Sequence, residues 1–431
     1  MNPYLSRRRR FPLILARLGC LLLGLTLLGI AAAALYSIPV INDALFWRMD
    51  VIKSRIRERV NPHPASLATP IGGAGDDTSI NLVLTAAPSS VPTARIQRGS
   101  TSTGQPLTLT VQPKADVLPE STTLNANAHE YQQWNNCGPA TLSMALRYWG
   151  WQGTQEDAAP WLKPDRNDKN VAPAEMQTYV NARIDSLQLL YRAGGTLNVL
   201  RTLISAGYPV IVEKGFQPDE EKGWMGHYLL LTGYDDSNHT FTSQDSYSGP
   251  NVPAGYSELD ADWQAFNRMF IVIHPEVDQE AVLSLLGDHA NEAHSYDLAL
   301  ETGQRESTLD PNNSFAWHNL GVSLSYFGEF QAAASAFDQA RAIGLAWRML
   351  WYQTEMYQAY FNVGRYSEVV NLASSTLETT PNLEESYLWR GGARYALGDV
   401  EGAISDFGKA LEYNANFEEA EQALHEIDPD A

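Results

Sequence analysis

Tyr131-Gln132-Gln133-Trp134-Asn135-Asn136-Cys137-Gly138-Pro139-Ala140 leads straight into the apolar run Thr141-Leu142-Ser143-Met144-Ala145-Leu146, which predicts a helix that follows the cysteine and stops at Gly150. Cys137 is the only cysteine outside an N-terminal apolar segment that holds Cys20. A thiol at a helix N-terminus lies beside the positive end of the backbone dipole, which favours thiolate and lowers its pKa. Five residues before it, Gln132 carries an amide able to donate to an oxyanion. Further along, Gly226-His227-Tyr228-Leu229-Leu230-Leu231-Thr232 reads as a strand that begins with a histidine, and a later strand runs into Gln244-Asp245. Thiol, distant histidine and later acid is the chain order of a cysteine hydrolase.

The elements around these residues point to an α+β domain over 128–276. Helices are expected after Pro173 (174–180) and after Thr196, an N-cap for 197–204. Strands are expected at 209–213, 228–232, 240–243 and 269–274, with Gly233-Tyr234-Asp235-Asp236-Ser237-Asn238 as a hairpin turn between two of them. Helices first and antiparallel strands later make the class α+β.

Residues 278–428 read as an all-α repeat. The turn Phe327-Gly328-Glu329-Phe330 recurs as Val363-Gly364-Arg365-Tyr366 and Leu397-Gly398-Asp399-Val400, at spacings of 36 and then 34 residues. A period near 34 with a glycine turn is the signature of tetratricopeptide (TPR) helix pairs. Gly391, Ala403, Phe407 and Ala410 mark a clear last copy, the middle copy is degenerate, and 417–427 supplies a capping helix. These residues pack helix on helix, and any binding belongs to the concave face of the solenoid.

Ahead of both regions, residues 1–42 combine Arg7, Arg8, Arg9, Arg10 and Arg17 with a stretch from Leu18 to Ile41 that holds no charge. Some twenty apolar residues can cross a bilayer as a helix. The arginines then place the N-terminus in the cytoplasm and the rest outside, making a single-pass protein of the cell membrane. Ala31-Ala32-Ala33-Ala34 keeps a cleaved signal peptide open as the alternative. Residues 43–127 read as a juxtamembrane amphipathic helix (Leu45, Met49, Ile52, Ile56) followed by a Pro/Ser/Thr-rich linker. A net charge of −20 argues against a nucleic-acid partner.

Gln132-x-x-x-x-Cys137-Gly138-Pro139, Gly226-His227-Tyr228 and Gln244-Asp245 with Gly249-Pro250 resemble the peptidase domain of the bacteriocin-processing, double-glycine-leader cysteine peptidases, more their stand-alone relatives than the transporter-fused ones. The resemblance covers about a third of the chain. It implies a papain-like fold with Cys137 as nucleophile, His227 as general base and acid, Asp245 orienting the imidazole and Gln132 in the oxyanion hole. Gln133 ranks second for the last role. It implies no cofactor, and scattered histidines give no metal spacing. With no Gly-x-x-x-x-Gly-Lys-Ser/Thr loop in the sequence, the double-glycine specificity does not carry over. The expected activity is peptide-bond hydrolysis through a thioacyl intermediate, with a peptide or protein substrate and an unidentified protein partner on the repeat array. Two alternatives stay open, an inactive papain-like/TPR scaffold and a thiol acyltransferase or amidase acting on a non-protein substrate. Among the tryptophans, only Trp224 is a candidate for lining a cleft.

Overall fold

The computed structural model describes residues 66–70, 118–125, 129–218 and 223–429, all within the unit Pro64–Ala431. The apolar segment, the expected amphipathic helix after it and most of the expected linker lie outside these residues. Among the described residues no helix is long and apolar enough to cross a membrane.

The first region runs β1 (Ser121–Thr123), α1 (Cys137–Tyr148), α2 (Gln155–Leu162), α3 (Pro173–Arg183), β2 (Leu187–Arg192), α4 (Leu197–Ser205), β3 (Val210–Phe216), β4 (Met225–Asp235), β5 (Thr240–Asp245), β6 (Gly249–Gly255), α5 (Tyr256–Trp263), β7 (Phe270–Pro275) and α6 (Gln279–Leu286). The strands form one seven-stranded sheet in the order β2-β7-β3-β4-β5-β6, with β1 joined to the end of β4, and every pairing is antiparallel. Alternation in the central strands sends side chains to two cores. Ile211, Tyr228, Leu230, Ile271 and Ile273 meet Leu142, Leu146, Met176 and Val180 on one face. Val210, Val212, Leu229, Leu231, Phe270 and Val272 meet Leu200, Leu203, Ile204 and Trp263 on the other. Each such buried side chain contributes roughly 1.5–3 kcal/mol, so β4 is clamped between α1 and α4.

Several elements differ from the sequence reading, each for a local reason. β4 begins before His227, so the histidine sits inside a strand and not at its start. β6 holds Pro250 and Pro253, which a strand tolerates only at an edge, where β6 lies. The other edge strand, β2, is capped sideways by α3: Gln177 Nε2 donates to the Leu189 carbonyl (3.0 Å), and Leu189 N–H donates to Asn181 (2.8 Å). α2 carries Pro160 yet forms, because Thr154 and Asp157 make a reciprocal capping box at its start. Within the expected linker, Ser121–Thr123 pairs with Gly233 to Asp235, and Ser66 bridges to Ala346.

The second region is helical: α7 (Glu292–Leu309), α8 (Ser314–Tyr326), α9 (Phe330–Ile343), a 3-10 turn Trp347–Trp351, α10 (Glu355–Asn362), α11 (Tyr366–Thr379), α12 (Glu384–Ala396), α13 (Val400–Tyr413) and α14 (Glu418–Ile427). Gly328, Gly364 and Gly398, the three repeat turns, all have positive φ (74°, 76° and 87°), which glycine adopts freely. A Cβ on Gly321 would come within 2.6 Å of the Phe337 ring, and one on Gly391 within 2.7 Å of the Phe407 ring. The degenerate middle copy exchanges the sizes: Tyr357 stands where the others have glycine, and Ala373 where they have phenylalanine. Both are fully buried, and the Tyr357 hydroxyl reaches Thr376 of α11 at 3.0 Å.

Candidate active site

Cys137 is the first residue of α1 and is half-buried. Its position at the helix start leaves the N–H groups of Cys137 and Gly138 without intrahelical partners. α1 is tied to β4 at Tyr228 from both sides of that residue's peptide group. Thr141 Oγ1 donates to the Tyr228 carbonyl (3.3 Å), while the Tyr228 N–H faces the Cys137 sulfur and favours its thiolate.

His227 is 3 % exposed. Its Nε2 donates to Asp245 Oδ1 at 2.7 Å, which leaves Nδ1 for the thiol, whose charge and polarity act on the ring. Phe216 stacks on the imidazole (ring centroids 4.9 Å, 29°), and Tyr247 meets it edge-on at 6.3 Å. The ring therefore has contacts on its face, its edge and Nε2.

Asp245 closes β5, which the pairing of Leu230 with Gln244 brings alongside β4. The same Oδ1 accepts the N–H groups of Tyr247 (2.8 Å) and Ser248 (3.1 Å), so turn chemistry and the histidine contact coexist in one carboxylate. Gln132 is held twice by Ser246: its N–H donates to the Ser246 carbonyl (2.9 Å), and its Oε1 accepts from the Ser246 hydroxyl (2.9 Å). Fixing Oε1 in that way fixes the direction of the NH2 group as well. Gln133 is occupied elsewhere, donating through Nε2 to Glu156 at 2.7 Å on the exposed side of α2.

Electrostatics separate the protons. Burial pushes the Cys137 thiol up, but the hydrogen bond and charge of His227, the Tyr228 N–H and the charge of Lys163 bring it below its ordinary value. Burial pulls His227 down, but its bonds to Asp245 and Cys137 raise it to about 9. Asp245, despite burial, is held well below the usual carboxylate range by His227 and its turn donors. Together these shifts favour a thiolate–imidazolium pair.

Four contributors carry weaker signals in the sequence. Lys163 is buried, and its Nζ donates to the carbonyls of Asn135 (2.9 Å) and Asp168 (2.8 Å), aiming a positive charge under the loop before Cys137. His129 donates through Nε2 to the Asp245 carbonyl (2.9 Å). Glu213, opposite Tyr228 in the ladder, is pushed well up by burial, which biases it to the neutral acid. The fourth is Ser246, fully buried. Among the described residues no group of three or more His, Cys, Asp and Glu is arranged to hold a metal. A cavity of about 180 Å³ lies behind Phe216, and Trp224 and Phe315 line it.

The model of the Peptidase_C39 like family matches residues 124–271, the part of the chain that holds this site. No curated protein matches the sequence. Among solved structures, the crystal structure of MamA is 16 % identical, with 31 % of this chain and 77 % of that chain covered and a TM-score of 0.28. A MamA RS-1 double mutant is 15 % identical, with coverages of 35 % and 84 % and a TM-score of 0.30. The C-terminal part of a TPR repeat-containing protein from Cytophaga hutchinsonii is 19 % identical, with coverages of 36 % and 70 % and a TM-score of 0.25. Scores this low leave the repeat resting on its own helix pairs and glycine turns.

Proposed function

We propose that the α+β region is a papain-like cysteine peptidase and that the chain hydrolyses peptide bonds through a thioacyl intermediate. The observation that carries this reading is the relay itself: one imidazole bonded to a carboxylate through Nε2 and electrostatically coupled to a half-buried thiol.

In this mechanism the Cys137 thiolate attacks the scissile carbonyl carbon, forming a C–S bond while the carbonyl electron pair moves onto oxygen. That oxyanion is met by the Cys137 N–H and the Gln132 amide, whose orientation Ser246 fixes. The imidazolium of His227 protonates the amine nitrogen, the C–N bond breaks and the amine leaves. Water then attacks the thioester, giving its proton to the now neutral His227, and the collapse of this second intermediate releases the acid and the thiolate. Asp245 keeps the imidazole in one orientation throughout.

The helical region is a TPR-like array that recruits a polypeptide partner or substrate, and the arginine-flanked apolar segment anchors both regions outside the cytoplasm. The test is incubation of the chain with a proteome-derived peptide library and mass spectrometry of the products, alongside Cys137→Ala. New peptide termini that vanish in the variant support the reading. Identical product sets from both proteins overturn it.

A further inference from the structure

We propose that the thiol site is shared between the two regions, with Tyr352 of the helical region acting as a positioning residue for His227. This deepens the peptidase reading and rests on it.

Pairing with β5 covers β4 only from Leu230 onward, while β3 covers the opposite edge from Met225. From Met225 to Leu229, therefore, one edge of β4 has no neighbouring strand in the ladder, and alternate N–H groups along that edge need other acceptors. Two of them face groups on either side of the histidine. The Tyr228 N–H faces the Cys137 sulfur, and the Gly226 backbone packs against the Tyr352 ring, within range of its hydroxyl. His227 lies between these two anchor points, one from α1 and one from the helical region.

The fit around Gly226 is close. A Cβ there would lie 3.0 Å from Tyr352 Cε1 and 2.7 Å from Phe266 Cζ, so a side chain at this position would collide with the ring that packs against its backbone. Trp224 closes the joint, stacked on Phe266 (6.0 Å, 10°) and edge-on to Tyr352 (6.0 Å, 81°). The segment carrying Tyr352 is pinned to the α+β region on both sides. Arg348 Nη1 donates to the Trp224 carbonyl (3.1 Å), and Gln353 Nε2 donates to the Ala265 carbonyl (3.0 Å). This segment is also where the repeat departs from its period, with a 3-10 turn and a short α10 in the middle copy. The irregular copy of the array is thus the one that touches the thiol site.

The Met225–Gly226 peptide unit, one residue ahead of His227, lies against Tyr352, and removing the hydroxyl frees it without removing the ring. The experiment uses the whole chain with Cys20→Ser, so that Cys137 is the sole thiol, and measures iodoacetamide labelling against pH for the parent, Tyr352→Phe and Phe315→Ala. Phe315 packs against Trp224 at 5.8 Å and serves as the control for loosening of the joint alone. Melting curves accompany each variant. The expected result is a parent profile with reactivity at acidic pH, a Tyr352→Phe profile whose midpoint moves up with labelling at pH ~6 reduced about two- to tenfold, and a Phe315→Ala midpoint that stays in place. A parent profile like that of a free thiol overturns the peptidase reading and this inference with it. An activated parent whose midpoint Tyr352→Phe leaves unmoved, or Phe315→Ala moves equally, overturns the role of Tyr352 alone.

Discussion

Both regions bury charge, and they use it differently. In the helical region the buried ion pairs are arginine forks: Arg390 grips Asp406 at 2.7 and 2.9 Å, Arg394 adds a bond to the same carboxylate at 2.8 Å, and Arg341 pairs with Glu368. Arg341 also donates to the Ala68 carbonyl, binding the segment at 66–70 to α9. Guanidinium does not release its proton at any working pH, so these networks hold helices in register and do no proton chemistry. In the α+β region the buried pair is a thiol and an imidazole, two groups that exchange one proton within the physiological range. Burial alone thus marks neither stability nor function. What separates the two regions is whether a partner can give up its proton.

Perturbing each kind of pair sharpens the contrast. The largest expected effect is from His227→Ala, which removes both the base and the acid: peptide hydrolysis should fall by about 10²–10⁴-fold in steady-state assay, on protein that calorimetry shows to be folded. Asp406→Asn should do the reverse. It leaves two arginines around a neutral amide, at a cost of about 3–5 kcal/mol in denaturant unfolding, with the Cys137 labelling profile unmoved. A loss of thiol reactivity in that variant would break the comparison. Gln132→Ala should lower hydrolysis by roughly 10²–10³-fold yet leave iodoacetamide labelling unchanged, since alkylation forms no oxyanion. Asp245→Asn should have the smallest effect, about 10- to 100-fold, the worth of one charge-assisted hydrogen bond. In that variant the alkaline limb of the hydrolysis profile should move down from pH about 9, because the carboxylate that raises His227 is gone. The sign follows from the roles: activity rises as pH passes the lowered value of Cys137 and falls as His227 loses its proton.

The α+β class, the helix at Cys137, four of the strands and the three glycine turns were legible because periodicity, caps and turn residues are local signals. The helix after Thr196 is a clear case, since the Thr196 hydroxyl accepts the Val199 N–H as its position predicts. β6 was hidden by its prolines. β2 was hidden because Leu187-Gln188-Leu189-Leu190-Tyr191-Arg192 does not alternate cleanly. In the site, the residues with strong chemistry stand out in the sequence, and the structure brings Cys137, His227 and Asp245 together with Gln132 tethered nearby. Lys163, Ser246 and Tyr352 carry no such signal. A lysine in Trp161-Leu162-Lys163-Pro164-Asp165 reads as a solvated charge until folding buries it, and Tyr352 lies more than a hundred residues beyond His227 in a different kind of domain. Long-range contacts of this sort are fixed by tertiary packing, which local pattern does not encode.

The central claim is an activated thiol–imidazole pair, and the most direct measurement is the rate of Cys137 alkylation across pH in the whole chain carrying Cys20→Ser, with and without His227→Ala. Labelling should be fast, persist well below the pKa of a free thiol and collapse to an ordinary thiol profile in the variant. Slow labelling that rises only near the free-thiol pKa, and is the same in both proteins, would contradict it.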